Sequence, residues 1–238
     1  MNLKDKIVVV TGATGGMGRE IVKSLDNEGA RLVLISKTES ELRNLLETLK
    51  GKDNKYYVCD LSKESETVKV AKEISNDFNT IDVLINAAGI GIYKPLEELS
   101  LDEWNLSMEI NLNSVFIMIK GLIKSLNNSK DSVVISLGSG MGVKPEPERS
   151  AYCTSKFALR GLMLTLAEEY ERFKNPKFCL FTLGSVLTSF GPMTFEEKKQ
   201  SMESGKGYLT PDWVAEKVTE VIKSDDIKTE YSFSSPDY

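Results

Sequence analysis

Two kinds of hydrophobic pattern alternate along the chain. Residues 7–10, 32–35, 56–58, 83–85, 133–135 and 178–183 form short apolar runs, and between them apolar positions recur every three or four residues. A strand covered on both faces has no polar side, so the short runs predict parallel strands inside a sheet flanked by helices. The periodic stretches predict amphipathic helices. Thr38 followed by Glu41, and Ser100 followed by Glu103, have the spacing at which a hydroxyl and a carboxylate cap a first turn reciprocally. Pro211 after Thr210 suits a first helical position. The alternating order predicts an α/β fold, a doubly wound parallel sheet with right-handed crossovers. No repeat, low-complexity segment or Pro/Gly-rich linker interrupts it, so residues 1–238 are expected to form one domain. Between about 189 and 209 the periodicity fails, with Gly191, Pro192, Gly205 and Gly207 bracketing a polar stretch. A loop of roughly 20 residues is uncommon in a compact domain, and it predicts a substrate lid, open or disordered without ligand.

Charge and composition narrow the function. Lys plus Arg number 30 against 35 Asp plus Glu, and a net charge of −5 leaves no basic excess for a phosphate backbone. Nucleic acid is therefore not an expected partner. Residues 178–195 are uncharged, but Gly184, Gly191 and Pro192 make them unlike the ~20 apolar residues of a membrane span. Residues 7–10 are too short a run for a secretory leader. Cys59, Cys153 and Cys179 form neither an even set nor a C-x-x-C pair, which fits reduced thiols. A soluble, cytoplasmic protein is expected. Histidine is absent, which excludes Ser-His-Asp and Cys-His nucleophile systems and His-ligated zinc. Acid-base chemistry must then fall to Tyr, Lys, Asp, Glu or Cys, and no metal site is expected.

Immediately after the first strand comes Thr11-Gly12-Ala13-Thr14-Gly15-Gly16-Met17-Gly18, then an amphipathic helix beginning near Arg19. Glycines at such a turn let backbone N–H groups approach a pyrophosphate, and the helix N-terminus adds partial positive charge. The spacing excludes a P-loop. A tight turn without ligand, and a methyltransferase of similar topology, stay open on this segment alone.

Tyr152 and Lys156 stand four apart near the start of a helix expected to run to about Phe173, so both project from one face. Thirteen residues before the Tyr, just past the fifth strand, is Ser139. A phenol titrates near ~10 in water, and an ammonium one turn away is expected to lower that value. Tyr and Lys can thus form an acid-base pair without His, with a hydroxyl nearby to orient a substrate oxygen.

The conjunction of these motifs resembles the short-chain dehydrogenase/reductase family over nearly the whole chain. The elements run in family order: the Gly-rich turn, Asp60-Leu61, Asn86-Ala87-Ala88-Gly89, Asn111, Ser139, Tyr152-x-x-x-Lys156 and Gly184-x-Val186-x-Thr188. The resemblance implies a Rossmann-type fold that binds NAD(P)(H) and transfers a hydride to or from a carbonyl or secondary alcohol. It implies that Tyr152 is the general acid or base, that Ser139 hydrogen-bonds the reacting oxygen, and that Lys156 holds the nicotinamide ribose and depresses the Tyr pKa. Asn111 would hold a water linking Lys156 to solvent. Gly12, Thr14, Gly15, Gly16, Met17, Gly18, Asp60, Leu61, Asn86, Ala87, Ala88, Gly89, Gly184, Val186 and Thr188 would line the cofactor. A nucleotide-binding regulatory protein without turnover is the rival of a different class, and the intact set of four catalytic-type residues speaks against it.

Plainer roles are available to several of these residues. Asn86 and Asn111 equally suit satisfying buried backbone groups, Asp60 suits capping the next helix, and Cys153 suits filling a small buried space. Trp104, Met108, Phe116 and Met118 are expected to form one helical stripe for packing or subunit contact.

The chain also departs from the family pattern. Leu183-Gly184 stands where members usually show Pro-Gly, Thr14-Gly15 lacks the basic residue common in NADP-preferring members, and residues 230–238 lack the Gly-rich ending of 3-oxoacyl reductases. That ending's absence makes 3-oxoacyl thioesters the alternative substrate class rather than the first. The second strand ends in Ser36-Lys37, a hydroxyl and a cation, instead of the acidic residue that accepts from the ribose 2′-OH of NAD. NADP(H) is expected to be preferred. A homo-oligomer, dimer or tetramer, acting on a small carbonyl or alcohol completes the expectation.

Overall fold

The computed structural model describes residues 1–234, so the last four positions of the 230–238 stretch lie outside the described residues. A seven-stranded sheet runs in the order β3-β2-β1-β4-β5-β6-β7, every neighbouring pair parallel. Its strands are β1 (Ile7–Thr11), β2 (Arg31–Ser36), β3 (Lys55–Val58), β4 (Val83–Asn86), β5 (Val133–Leu137), β6 (Lys177–Leu183) and β7 (Glu230–Phe233). Between them run α1 (Gly16–Asn27), α2 (Glu39–Glu47), α3 (Glu64–Asp77), α4 (Leu101–Met108), α5 (Ser114–Asn127), α6 (Ser150–Glu171), α7 (Phe195–Glu203) and α8 (Pro211–Lys223).

Side-chain alternation along β1 divides the core in two. Val8 and Val10 face one cluster with Ile21 and Leu25 of α1 and Val214 and Val218 of α8. Val9 faces the other with Ile74 of α3, Leu122 of α5 and Met163 of α6. Both faces are covered by helices, which is why the strands read as unbroken apolar runs. The doubly wound, Rossmann-type architecture expected from the pattern is the one observed.

Four local readings need correction. The expected structureless stretch 189–209 contains α7, whose Thr194 and Glu197 form a reciprocal capping box, and Leu209 bridges to Val186. A polar helix lying outside the core has no hydrophobic period to reveal it. Strand β7 escaped notice because its four residues sit at the sheet edge, only partly covered. Ser100 and Glu103 do form their capping box, but Thr38 makes no side-chain cap and Glu41 turns away to the Thr14 hydroxyl. The supposed stripe of Trp104, Met108, Phe116 and Met118 spans α4 and α5, which are separated by a π-helical turn, Glu109–Asn113. Across that wider turn the faces fall out of phase, leaving Met118 fully buried and Phe116 exposed.

The run Leu101–Asn127 is long and apolar enough, by length and composition, to cross a membrane. Here it packs along α3 and α6 and buries Asn111, Ser114 and Ser125 with its apolar side chains.

Candidate active site

Strand order reverses at β1 and β4, so the loops after these two strands part to opposite sides and leave a crevice at their carboxyl ends. Gly12 closes the turn after β1 with φ +64°, and a Cβ there would lie 2.7 Å from the Ala88 Cα. The turn therefore seats directly against the 86–89 segment, a position only glycine can occupy. Helix α1 starts at Gly16, and its N-cap Gly15 has no side chain to occupy the free N–H groups of the first turn. A Cβ on Gly16 would stand 2.8 Å from Thr188 Cγ2, so the 184–188 segment borders the same crevice. Asn86 donates to the Ser136 hydroxyl at 3.2 Å, while its buried Oδ1 has no partner.

A second cluster gathers beside the crevice at the carboxyl ends of β2 and β3. The Thr14 and Ser36 hydroxyls are 2.7 Å apart, and Thr14 also donates to Glu41 at 3.1 Å. Asp60 accepts from the Ser62 hydroxyl at 2.7 Å and backbone at 3.1 Å. Those bonds, with help from the charges of Lys63 and Lys37, hold its carboxyl below the usual range. Lys37 is close enough to act on Asp60 electrostatically. Glu41 was not singled out by sequence as a neighbour of this cluster, because from the first turn of α2 it reaches across to Thr14 on a different loop.

Ser139 follows β5. Its hydroxyl accepts from Met141 N at 3.2 Å, capping the short 3-10 turn Gly140–Gly142, and also hydrogen-bonds the Tyr152 phenol. Tyr152 and Lys156 lie on the first two turns of α6, each only 5% exposed. The Lys156 ammonium donates to Leu137 O at 2.9 Å and sits 5.9 Å from the centroid of the Tyr152 ring. Asn111, in the π-helical turn, accepts from Ile90 N at 2.9 Å and donates to Ile90 O at 3.0 Å and Ser155 Oγ at 3.0 Å. Asn111 Oδ1 and Lys156 Nζ both line the Gly89 backbone. Ser139, Tyr152, Lys156 and Asn111 thus converge at the carboxyl ends of β4 and β5. Sequence reasoning missed the supporting Ser107 and Ser155, since the link from α4 across to α6 exists only in the packed helices.

Burial shapes the electrostatics. Lys156 is pushed down to about 8 by loss of water. Desolvation, followed by the neighbouring Tyr93, pushes the Tyr152 phenol up rather than down, with only the Ser139 hydrogen bond and Arg149 opposing it. The expected depression by Lys156 is not seen: its ammonium is spent on Leu137 O, and the removal of water from a buried oxygen outweighs the opposing contacts. Cys153 is buried, as expected of a filler, and Cys59 and Cys179 are pushed up to about 11 and about 12 by burial, so neither is a poised thiolate. A cleft of about 630 Å³ lined by Pro145, Pro147, Cys153 and Phe157 opens beside α6, but Ser139, Tyr152 and Lys156 do not line it.

The profile of the short chain dehydrogenase family matches residues 6–198. The chain belongs to this family. An uncharacterized oxidoreductase of Staphylococcus saprophyticus is 30% identical over 224 residues, 93% of this chain and 91% of that protein. D-threitol dehydrogenase of Mycolicibacterium smegmatis is 29% identical, over 71% of this chain and 65% of its own length. Among solved structures, an alcohol dehydrogenase from Thermococcus sibiricus complexed with 5-hydroxy-NADP superposes with a TM-score of 0.84 at 29% identity, covering 99% of this chain and 100% of that one. The chain is an oxidoreductase of the short-chain dehydrogenase type, and the substrates named for its relatives differ from one to another.

Proposed function

We propose that the protein is an NADP(H)-dependent carbonyl reductase, running in reverse as a secondary-alcohol dehydrogenase, with Tyr152 as its acid-base group. The observation that carries this reading is the convergence of Ser139, Tyr152 and Lys156, buried together beside the crevice at the β1–β4 reversal. The glycine turn and the free α1 N-terminus suit a pyrophosphate. Asn86–Gly89 and Gly184, Val186 and Thr188 would flank it, and Asp60 and Leu61 would lie on the adenine side. When bound, the nicotinamide supplies or takes up the hydride.

The chain's own residues do the rest. Because burial keeps the Tyr152 phenol protonated at neutral pH, it is suited to donate to a developing alkoxide while Ser139 Oγ holds the same oxygen. Lys156, charged at neutral pH yet near its titration point, would hold the ribose hydroxyls of a bound cofactor and could pass a proton inward. Asn111 spends its carboxamide on Ile90 and Ser155, so in this reading its water relay uses the main chain of the widened turn.

Ser36 and Lys37 favour a 2′-phosphate, in keeping with the NADP-type ligand of the Thermococcus relative. Glu41, held beside them by Thr14, limits that preference. One domain with the 189–209 segment as its lid, a homo-oligomer, and a cytoplasmic setting with reduced thiols complete the proposal. NADPH oxidation measured against ketones, diketones, quinones and 3-oxoacyl thioesters tests it. Cofactor binding with no turnover anywhere would favour a regulatory binder instead.

A further inference from the structure

Three rings meet at the proton-transfer group. Tyr93 meets Tyr152 edge-on, with centroids 5.4 Å apart and planes at 68°. Phe190 packs on the same ring at 5.7 Å and 59°. Both newcomers close on Gly91, where a Cβ would stand 2.8 Å from Phe190 Cε1 and 3.1 Å from the Tyr93 Cζ and hydroxyl. A bare backbone at 91 is therefore a condition for Tyr93 and Phe190 to come this near to each other.

Each ring is also held from behind. The Arg149 guanidinium lies 4.6 Å over the Tyr93 ring and is itself paired with Glu146. Lys198 of α7 donates to Phe190 O at 2.6 Å, tying the lid helix to the residue that touches Tyr152. Among the described residues the groups that shift the Tyr152 phenol are Tyr93, Ser139, Cys153 and Arg149, none of them a carboxylate, and Lys156 stands 5.9 Å from the ring centroid.

From this we infer that Tyr93 and Phe190 form an aromatic slot that sets substrate specificity, admitting a carbonyl that carries a flat apolar or aryl group and disfavouring polyhydroxylated ketones. The inference rests on Tyr152 being the reducing centre's acid. A hydroxyl-rich chain entering the slot gives up water for ring carbon without recovering its hydrogen bonds, whereas a flat ring exchanges water for stacking. Nothing about the slot depends on the cofactor's ribose phosphate.

The test compares kcat/KM for 4-phenyl-2-butanone with that for erythrulose, using NADPH and the full chain. Intrinsic carbonyl reactivity cancels when a variant's ratio is divided by that of the wild type. The wild type is expected to favour the aryl ketone at least tenfold. Phe190→Leu and Tyr93→Leu are each expected to lower the ratio at least fivefold. Phe190→Tyr, which restores a ring, should keep it within twofold, and so should Phe116→Leu, which removes an exposed ring on α5. Circular dichroism confirms folding, and Phe190→Tyr carries the test should a leucine variant fail to fold: a ratio changed as much by Tyr as by Leu would refute a ring-specific role. A wild type that prefers erythrulose, or ratios unmoved in both leucine variants, would overturn the slot while leaving the reductase standing. NADPH binding without reduction of either ketone or any of the wider panel would overturn both.

Discussion

Replacing Asn111 with Ala separates a structural role for its carboxamide from a purely catalytic one. The side chain is fully buried and makes hydrogen bonds to both backbone groups of Ile90, at 2.9 and 3.0 Å, and to Ser155 and Ser107, at 3.0 and 3.3 Å. Ala removes all four at once. The two Ile90 groups then lose their partner, and an unpaired buried polar group costs ~1–3 kcal/mol. Ile90 is only half-buried, so water restores part of this. The two serine hydroxyls can rotate to other partners. A net loss of about 2–4 kcal/mol follows. At about 2–4 °C per kcal/mol for a chain of this size, Tm should fall by roughly 4–16 °C. Thermal unfolding followed by circular dichroism reads this directly, with cofactor affinity measured in parallel because Ile90 adjoins the 86–89 segment. A Tm within ~2 °C of the wild type would refute the clamp and leave Asn111 with the relay role alone.

Tyr152→Phe is expected to abolish turnover and keep cofactor affinity within a few fold, since it removes the proton donor and little surface; substantial residual reduction would sink the mechanism. Because Lys156 titrates at about 8, kcat/KM for reduction should fall as pH rises through that value and the ammonium is lost, so a flat profile from pH 6 to 9.5 would count against it. Ser36→Asp combined with Lys37→Ala removes a charge-assisted contact of ~1.5–3 kcal/mol and should weaken NADPH at least tenfold at ~1.4 kcal/mol per decade, whereas Glu41→Gln should strengthen it; fluorescence titration giving the reverse order would reject the assignment. Glu230, bonded by Arg160 and Thr182, has its carboxyl held below the ordinary 4.5, so its stabilisation is present above that value and lost as pH falls through the folded one. The stability difference between wild type and Glu230→Gln should accordingly shrink from pH 6 to pH 3, and a constant difference would show that the carboxylate contributes nothing.

Sequence alone determined the parallel sheet, the site of the glycine turn and the shared helix face of Tyr152 and Lys156. Each is a local property: strands covered on both faces must be apolar throughout, a close turn must lack Cβ atoms, and Tyr152 and Lys156 share a helix face because of a fixed spacing. The absence of histidine narrowed the chemistry further, since composition does not depend on folding. Other features arose only where distant segments met. Glu41 reaches Thr14 and Phe190 reaches Tyr152 through space, and no periodicity marks either approach. Strand β7 and helix α7 hold few core residues, so hydrophobic pattern could not announce them. The direction of the Tyr152 shift was likewise a tertiary outcome. Spacing placed a cation one turn away, but burial and the commitment of Lys156 to Leu137 O decided which way the phenol moved, because a charge's influence depends on the water around it and on what else it binds.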